Sequence, residues 1–306
     1  MSEVFAPSAF KKDQLLKLVN EEFLFQDNFE SIICVSTQDN VKDKSMFFCD
    51  SVDEDRYKFL ASLDVSSALM ICTSSEFSFD NISTIISNNP RVTYAKIVNE
   101  LFSYDRDFFI GSIDPINIPK STSVFPGTFI HHTSSIGKNT VIYPNVSIGP
   151  NCQIGDNVII KPSSVIGFSG FGTIKDKKKL NHHLPHVGGV VVEDDVEIGS
   201  LTTVCAGTIN PTIIGQNVKI DDHVHIGHNA IVKKGSIITA CAIVAGSVHV
   251  SENSWIGLNV TTKEGIELGK DSLLGMGAVV LKNVDQGATM IGNPAKPLIK
   301  KPKSEE

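Results

Sequence analysis

From Ile130 onward an aliphatic residue returns at every sixth position: Ile130, Ile136, Ile142, Ile148, Ile154, Ile160 and Ile166. The register resumes at Val192, Ile198 and Val204, then shifts by a few residues. It continues at Ile214, Ile220, Ile226, Val232, Ile238, Val244, Val250, Ile256, Thr262, Leu268, Leu274 and Val280. The fifth position of each hexad is small or β-branched, as at Thr140, Val146, Ala230, Ala242 and Ala278. The position after the aliphatic residue is often glycine, as at Gly137, Gly155, Gly199, Gly227, Gly257 and Gly275. A period of six fits neither a helix, at about 3.6 residues per turn, nor plain strand alternation. Each hexad therefore reads as one short strand and one turn, with glycine expected where a corner needs positive φ. Such a unit cannot bury its own apolar face, so the hexads must stack into a solenoid.

Two segments interrupt the period. Residues 168–187 (FSGFGTIKDKKKLNHHLPHV) bring glycine, charge and three histidines, and are expected to form a loop extruded from the prism. Residues 209–212, with Asn210-Pro211, are expected to form a bulge at a corner. Residues 1–112 lack the period altogether. There Asp13 followed by LLKLVNEEF predicts a capped amphipathic helix. SIICVST (31–37), SMFFCD (45–50) and SALMICT (67–73) predict buried strands. The reading is a small α/β domain over 1–112, a β-helix over 113–298 that includes the extruded loop, and a charged tail over 299–306. Pro115, Pro119 and Pro126 mark the linker and first turn.

Composition narrows the class. The chain is 41% hydrophobic and 20% charged over 306 residues, enough apolar residue for a packed core in a soluble protein. A net charge of -7 with no long basic stripe argues against nucleic acid as a partner. Neither a secretory leader pattern nor an apolar run of about 18 residues is present, so a cytoplasmic protein without membrane insertion is expected. The six cysteines stand singly, which suggests neither a disulfide framework nor a zinc ribbon.

Histidine supplies the candidate chemistry. KIDDHVHIGHNAIV (219–232) places His223, His225 and His228 inside the repeat. His228 falls at a corner, outside the aliphatic core, and Gly246 follows it 18 residues later, one coil on if three hexads make a coil. Acyl transfer from a thioester to an amine needs a base for the nucleophile's proton and a donor for the oxyanion. His228 is the candidate base and the Gly246 amide the candidate donor. Asp221 and Asp222 are candidates to orient the imidazole, and His225 and Asn229 are candidate substrate contacts. A metal reading of the three histidines lacks a fourth ligand at suitable spacing.

NNPRVTYAKIVNELF (88–102), VIGFSGFG (165–172), LPHVGGVVVEDDVEIGSLTTV (184–204) and KIDDHVHIGHN (219–229) resemble the UDP-3-O-acylglucosamine N-acyltransferases of lipid A biosynthesis, a hexapeptide-repeat family. The resemblance implies a mainly β chain, a left-handed parallel β-helix with an N-terminal uridine-binding domain. At three hexads per coil the run would make about seven coils. It further implies a homotrimer with sites between subunits, a histidine base at His228 with Asp221 favoured to orient it, and uridine stacking by Phe47 and Tyr57. Asp50, near Phe47, is a candidate to accept from the uracil or else to serve the turn. A purely structural role for those aromatics stays open. Where that family has Asp-Arg-Gly this chain has Cys205-Ala206-Gly207. The stretch after residue 298 is a short charged tail, where those enzymes continue into helices that dock acyl carrier protein.

LLGMGAVVLKNV (273–284) and GNPAKP (292–297) are similar instead to coenzyme A-dependent sugar N-acetyltransferases of the same fold. That likeness implies pantetheine lying along Gly257, Gly275, Gly277 and Ala278, with Lys282 reaching a phosphate. The expected activity is N-acylation of a UDP-linked amino sugar for a surface polysaccharide, with acetyl-CoA as donor and no metal. The alternatives are the lipid A enzyme with an acyl carrier protein donor, and a non-catalytic nucleotide-sugar-binding scaffold.

Overall fold

A computed structural model describes residues 4–11, 13–15, 23–24, 31–73, 77–101 and 118–298. Most of the helix expected after Asp13, the start of the linker and the charged tail lie outside the described residues. The chain divides into two compact units, residues 1–109 with 171–187, and residues 110–170 with 188–306.

The first unit is built on a six-stranded sheet of order β1-β3-β4-β5-β6-β2. Its strands are β1 (Val4–Lys11), β2 (Phe23–Leu24), β3 (Ser31–Val35), β4 (Ser45–Phe48), β5 (Ala68–Cys72) and β6 (Ile82–Ile86). The expected strands are β3, β4 and β5, parallel neighbours at the centre of the sheet. Helix α1 (Glu54–Ala61) starts where the Asp53 side chain accepts the Arg56 N–H at 2.8 Å. Helix α2 (Pro90–Leu101) follows β6. Phe47, Leu60, Met70 and Ile82 share one core cluster. Residues 173–183 belong to this unit as an antiparallel hairpin, Thr173–Lys175 against Asn181–His183, that packs on α2. The expected loop is thus ordered strand and turn.

The second unit is the solenoid. Its three parallel walls hold ten, eight and seven strands, taller than seven coils. Ser123–Val124 adds a strand before the aliphatic column begins at Ile130, and Thr289–Ile291 adds one after Val280. The tenth strand of the tallest wall, Lys296–Pro297, runs antiparallel to Thr289–Ile291. Aliphatic residues of every hexad point inward and are buried, joined by the fifth-position residues. The strands between corners are mostly two residues long, so each coil buries little and the stack supplies the core.

The glycine column has a different cause from the one expected. Positive φ falls instead on Asn139, Asn145, Asn151 and Asn157, at 56°, 60°, 57° and 57°, where asparagine tolerates the left-handed region. The glycines themselves sit where one coil's backbone meets the next. A Cβ on Gly227 would lie 2.5 Å from the Gly246 nitrogen. Gly227→Ala is therefore expected to cost about 1–3 kcal/mol, since a backbone-to-backbone clash has no rotamer to relieve it. Urea denaturation checks this, and a wild-type midpoint would show that the corner yields freely.

Candidate active site

His228 stands at the corner that follows the strand His225–Ile226, leaving the eight-stranded wall for the seven-stranded one. The same corner recurs every 18 residues, so Gly246, Glu264 and Lys282 follow His228 in one column. Both insertions leave the prism at this edge: 168–187 after the strand Val165–Phe168, and 206–211 after Thr203–Cys205. The edge is where the repeat is least regular.

The stacking bonds of the corner fix the pair. The Ser247 N–H donates to the His228 carbonyl at 2.8 Å, and the Gly265 N–H donates to the Gly246 carbonyl at 3.0 Å. A Cβ on Gly246 would meet His228 Nε2 at 2.8 Å, so the imidazole lies against the glycine backbone. Among the described residues the Gly246 N–H has no hydrogen-bond acceptor. An open N–H beside an imidazole is the arrangement that can hold a developing oxyanion and take up a proton at one point.

The neighbours set the imidazole's chemistry. Burial lowers the pKa of His228, and the Glu264 carboxylate partly opposes that shift. His225 is lowered too, by burial first and then by His228. Asn229, at φ +58°, accepts the Thr208 N–H at 2.7 Å and its hydroxyl at 3.1 Å through Oδ1. The asparagine is therefore held by the second insertion. Its Nδ2 lies 3.3 Å from His228 Nδ1, long for a bond that would fix the imidazole tautomer.

Asp221 is placed differently from expectation. Its carboxylate accepts the N–H of Asp222 at 2.8 Å and of Ala240 at 3.2 Å, bracing the preceding corner. The Glu264 carboxylate raises the His228 pKa through its charge. Sequence reasoning missed it although the 18-residue column that links His228 to Gly246 passes through it.

The expected donor residues do not converge. Ala278 is fully buried in the aliphatic core and presents no surface to a cofactor. Gly257 and Gly275 are explained by packing, for a Cβ there would lie 2.6 Å from the Leu274 oxygen and 2.9 Å from Ile291 Cγ2 respectively. Gly277, at φ +69°, turns the corner on the opposite edge of the wall from exposed Lys282.

In the first unit, Phe47 is 0% exposed, so it has no face to offer a base and its stacking role is corrected to a core role. It lies on the buried side of β4. Half-buried Phe48 is the more accessible ring, with the Arg91 guanidinium 5.6 Å from its centroid. Arg91 also binds the Asp50 carboxylate at 3.0 Å. Tyr57 stacks on Phe77 at 4.5 Å and lines a cleft of about 270 Å³ with Phe79 and Asp80. Phe47 and Tyr57 thus do not form an open sandwich. In the hairpin segment, His182 bonds Asp176 at 2.9 Å and His186 is buried, neither of them a freely solvated ring. His223, at φ +59°, sits at a corner while His225 lies on the wall. Among the described residues no group of three or more His, Cys, Asp or Glu is placed to hold a metal ion.

Coils of two-residue strands with an imidazole and an open amide at a corner define a hexapeptide-repeat β-helix. Residues 133–167 match the family described as bacterial transferase hexapeptide (six repeats), and residues 248–282 match the hexapeptide repeat of succinyl-transferase. The chain thus carries hexapeptide repeats, and it is similar to the UDP-3-O-acylglucosamine N-acyltransferases. It is 48% identical over 84 residues to the enzyme of that name from Coxiella burnetii, 28% of this chain and 25% of the relative. With UDP-3-O-acylglucosamine N-acyltransferase 2 of Rhodopseudomonas palustris it shares 37% identity over 134 residues, 43% of this chain and 35% of the relative. The matched segments span a quarter to about a third of these curated relatives. The structure of a UDP-N-acetylglucosamine acyltransferase from Campylobacter jejuni aligns with a TM-score of 0.50 at 19% identity, over 59% of this chain and 71% of that one. That likeness shows the fold alone, a left-handed parallel β-helix.

Proposed function

We propose that this protein is an N-acyltransferase whose acceptor is a UDP-linked glucosamine that already carries a 3-O-acyl chain. The observation that supports it is the His228 imidazole set against the open Gly246 amide, in a chain whose curated relatives bear the name of that activity. The acceptor amine attacks the thioester carbonyl, forming the C–N bond while the oxyanion rests on the Gly246 N–H. His228 takes the amine proton. Collapse of the intermediate breaks the C–S bond, and the imidazolium returns its proton to the departing sulfur. Burial of His228 favours this role because it keeps the imidazole neutral at physiological pH. The name of the relatives favours this acceptor over a UDP-amino sugar destined for surface polysaccharide, and the donor proposed with it is a carrier-protein thioester, with acetyl-CoA as the competing donor.

One assay tests acceptor and donor together. UDP-3-O-acylglucosamine and UDP-amino sugars without the ester chain are each paired with hydroxyacyl carrier protein and with acetyl-CoA, and amide products are weighed by mass spectrometry. Amide formation on the acylated acceptor from the carrier-protein thioester is the expected result. Product only from acetyl-CoA and the unacylated sugars would transfer the reading to a polysaccharide N-acetyltransferase. No amide in any pairing would leave a nucleotide-sugar-binding scaffold.

A further inference from the structure

The hairpin of the first unit ends in the turn Lys175-Asp176-Lys177-Lys178-Lys179-Leu180. Its four lysines are exposed, and among the described residues none forms an ion pair. The one acid in the turn is spent on the turn itself. Asp176 Oδ1 accepts the N–H of Lys178 at 2.8 Å and of Leu180 at 2.9 Å, and Oδ2 receives His182 Nε2 at 2.9 Å. Those bonds hold the Asp176 pKa below the ordinary carboxylate value, His182 contributing most. Lys179 adopts φ +64°, which closes the turn tightly. Leu180, 58% exposed, stands beside the lysines. The hairpin is held at its base, where the Asn99 side chain of α2 donates to the His183 carbonyl at 3.3 Å.

We propose that this hairpin tip is a docking surface for an anionic phospholipid bilayer. The turn closes a two-stranded hairpin and its four lysines are exposed, so it offers point charges to a broad anionic surface. Leu180 supplies the apolar contact that such a surface accepts and that a free phosphate would not use. The chain's net charge of -7 does not forbid this, because at physiological salt charges beyond about 8 Å are screened and the tip decides the local field. With one aspartate turned inward, the segment 171–187 carries three net positive charges when its histidines are neutral. Each lysine brought to an anionic surface raises partitioning by roughly fivefold.

Co-sedimentation of the full chain with vesicles tests it. Vesicles of phosphatidylcholine with about a third phosphatidylglycerol are compared with pure phosphatidylcholine, at low, physiological and high salt. Wild type is expected to bind the mixed vesicles, to leave them at high salt, and to ignore the neutral ones. The triple variant Lys177→Gln, Lys178→Gln, Lys179→Gln should lose about a hundredfold in partitioning. Leu180→Asn should weaken binding several-fold while keeping the salt dependence. Equal binding to both vesicle types, no binding of wild type at low salt, or full binding by the triple variant would each overturn the proposal. Capture of an acidic protein by a chain that ignores the vesicles would do so as well. The wild-type comparison stands even if a variant misfolds, and no arm depends on the proposed acyl transfer.

Discussion

His228→Ala is expected to lose about 10² to 10⁴ in turnover while the chain stays folded. The side chain lies at a corner outside the aliphatic column, so its removal leaves no cavity in the core. The loss should appear in kcat under saturating substrates. A folded variant that keeps more than about a third of wild-type turnover would remove His228 from the role of base. Gly246→Ala is its companion, because the new methyl would stand 2.8 Å from His228 Nε2 and push the ring aside. Displacement on that scale costs on the order of a hundredfold in rate, with little loss of stability because a side chain can give way. The pH behaviour has a fixed sign. Burial lowers the His228 pKa, so in the free protein its titration, followed by NMR, should fall below the ordinary imidazole value. Glu264 raises it, so Glu264→Gln should move that titration lower still. A rise in Glu264→Gln would contradict the assignment of that carboxylate. Activity at low pH is a poorer gauge, since the acceptor amine protonates as well.

Phe47→Ala is expected to destabilise the first unit by about 3–5 kcal/mol, the cost of emptying an aromatic site in a packed core. Phe47 is fully buried among Leu60, Met70 and Ile82. Chemical denaturation measures this, and nucleotide affinity measured on the fraction still folded should change little. A wild-type denaturation midpoint together with lost UDP affinity would return Phe47 to the stacking role. Phe48 is the ring to test for that role, since it is half-buried and has Arg91 on one face.

The solenoid was legible because its period repeats: an error at one hexad is corrected by the next. The aliphatic column, the corner position of His228 and its pairing with Gly246 all follow from counting by six and by 18. What counting could not supply is which atom each corner side chain faces. Asp221 and Glu264 are both acids near the column, and only the fold shows Asp221 turned to the Ala240 amide and Glu264 acting on His228. The glycine column was read correctly as a corner signal but for the wrong cause, because close approach between coils leaves no local trace in sequence. In the first unit the signal is weaker throughout. SMFF offers two adjacent rings, and strand alternation alone does not say which of Phe47 and Phe48 faces the core. Strands β1, β2 and β6 and helices α1 and α2 went unpredicted, Phe23 of β2 being read as the end of the helix after Asp13, and β6 and α2 are set by the sheet and the helix packing on it rather than by a periodic pattern.

The reversed strand Lys296–Pro297 bears on how prisms coexist at high concentration. A parallel β-helix ends in a row of unpaired peptide groups, an invitation for another prism to continue the ladder and for filaments to grow end on end. Here the tallest wall folds its own chain back across that row, with Met290 opposite Pro297 and Ile291 opposite Lys296. Proline has no N–H to offer a newcomer, and lysine sets a charge beside it. Growth along the axis is thereby opposed on that wall by the reversed strand, and deleting the reversal would turn a discrete particle into a candidate for fibre formation.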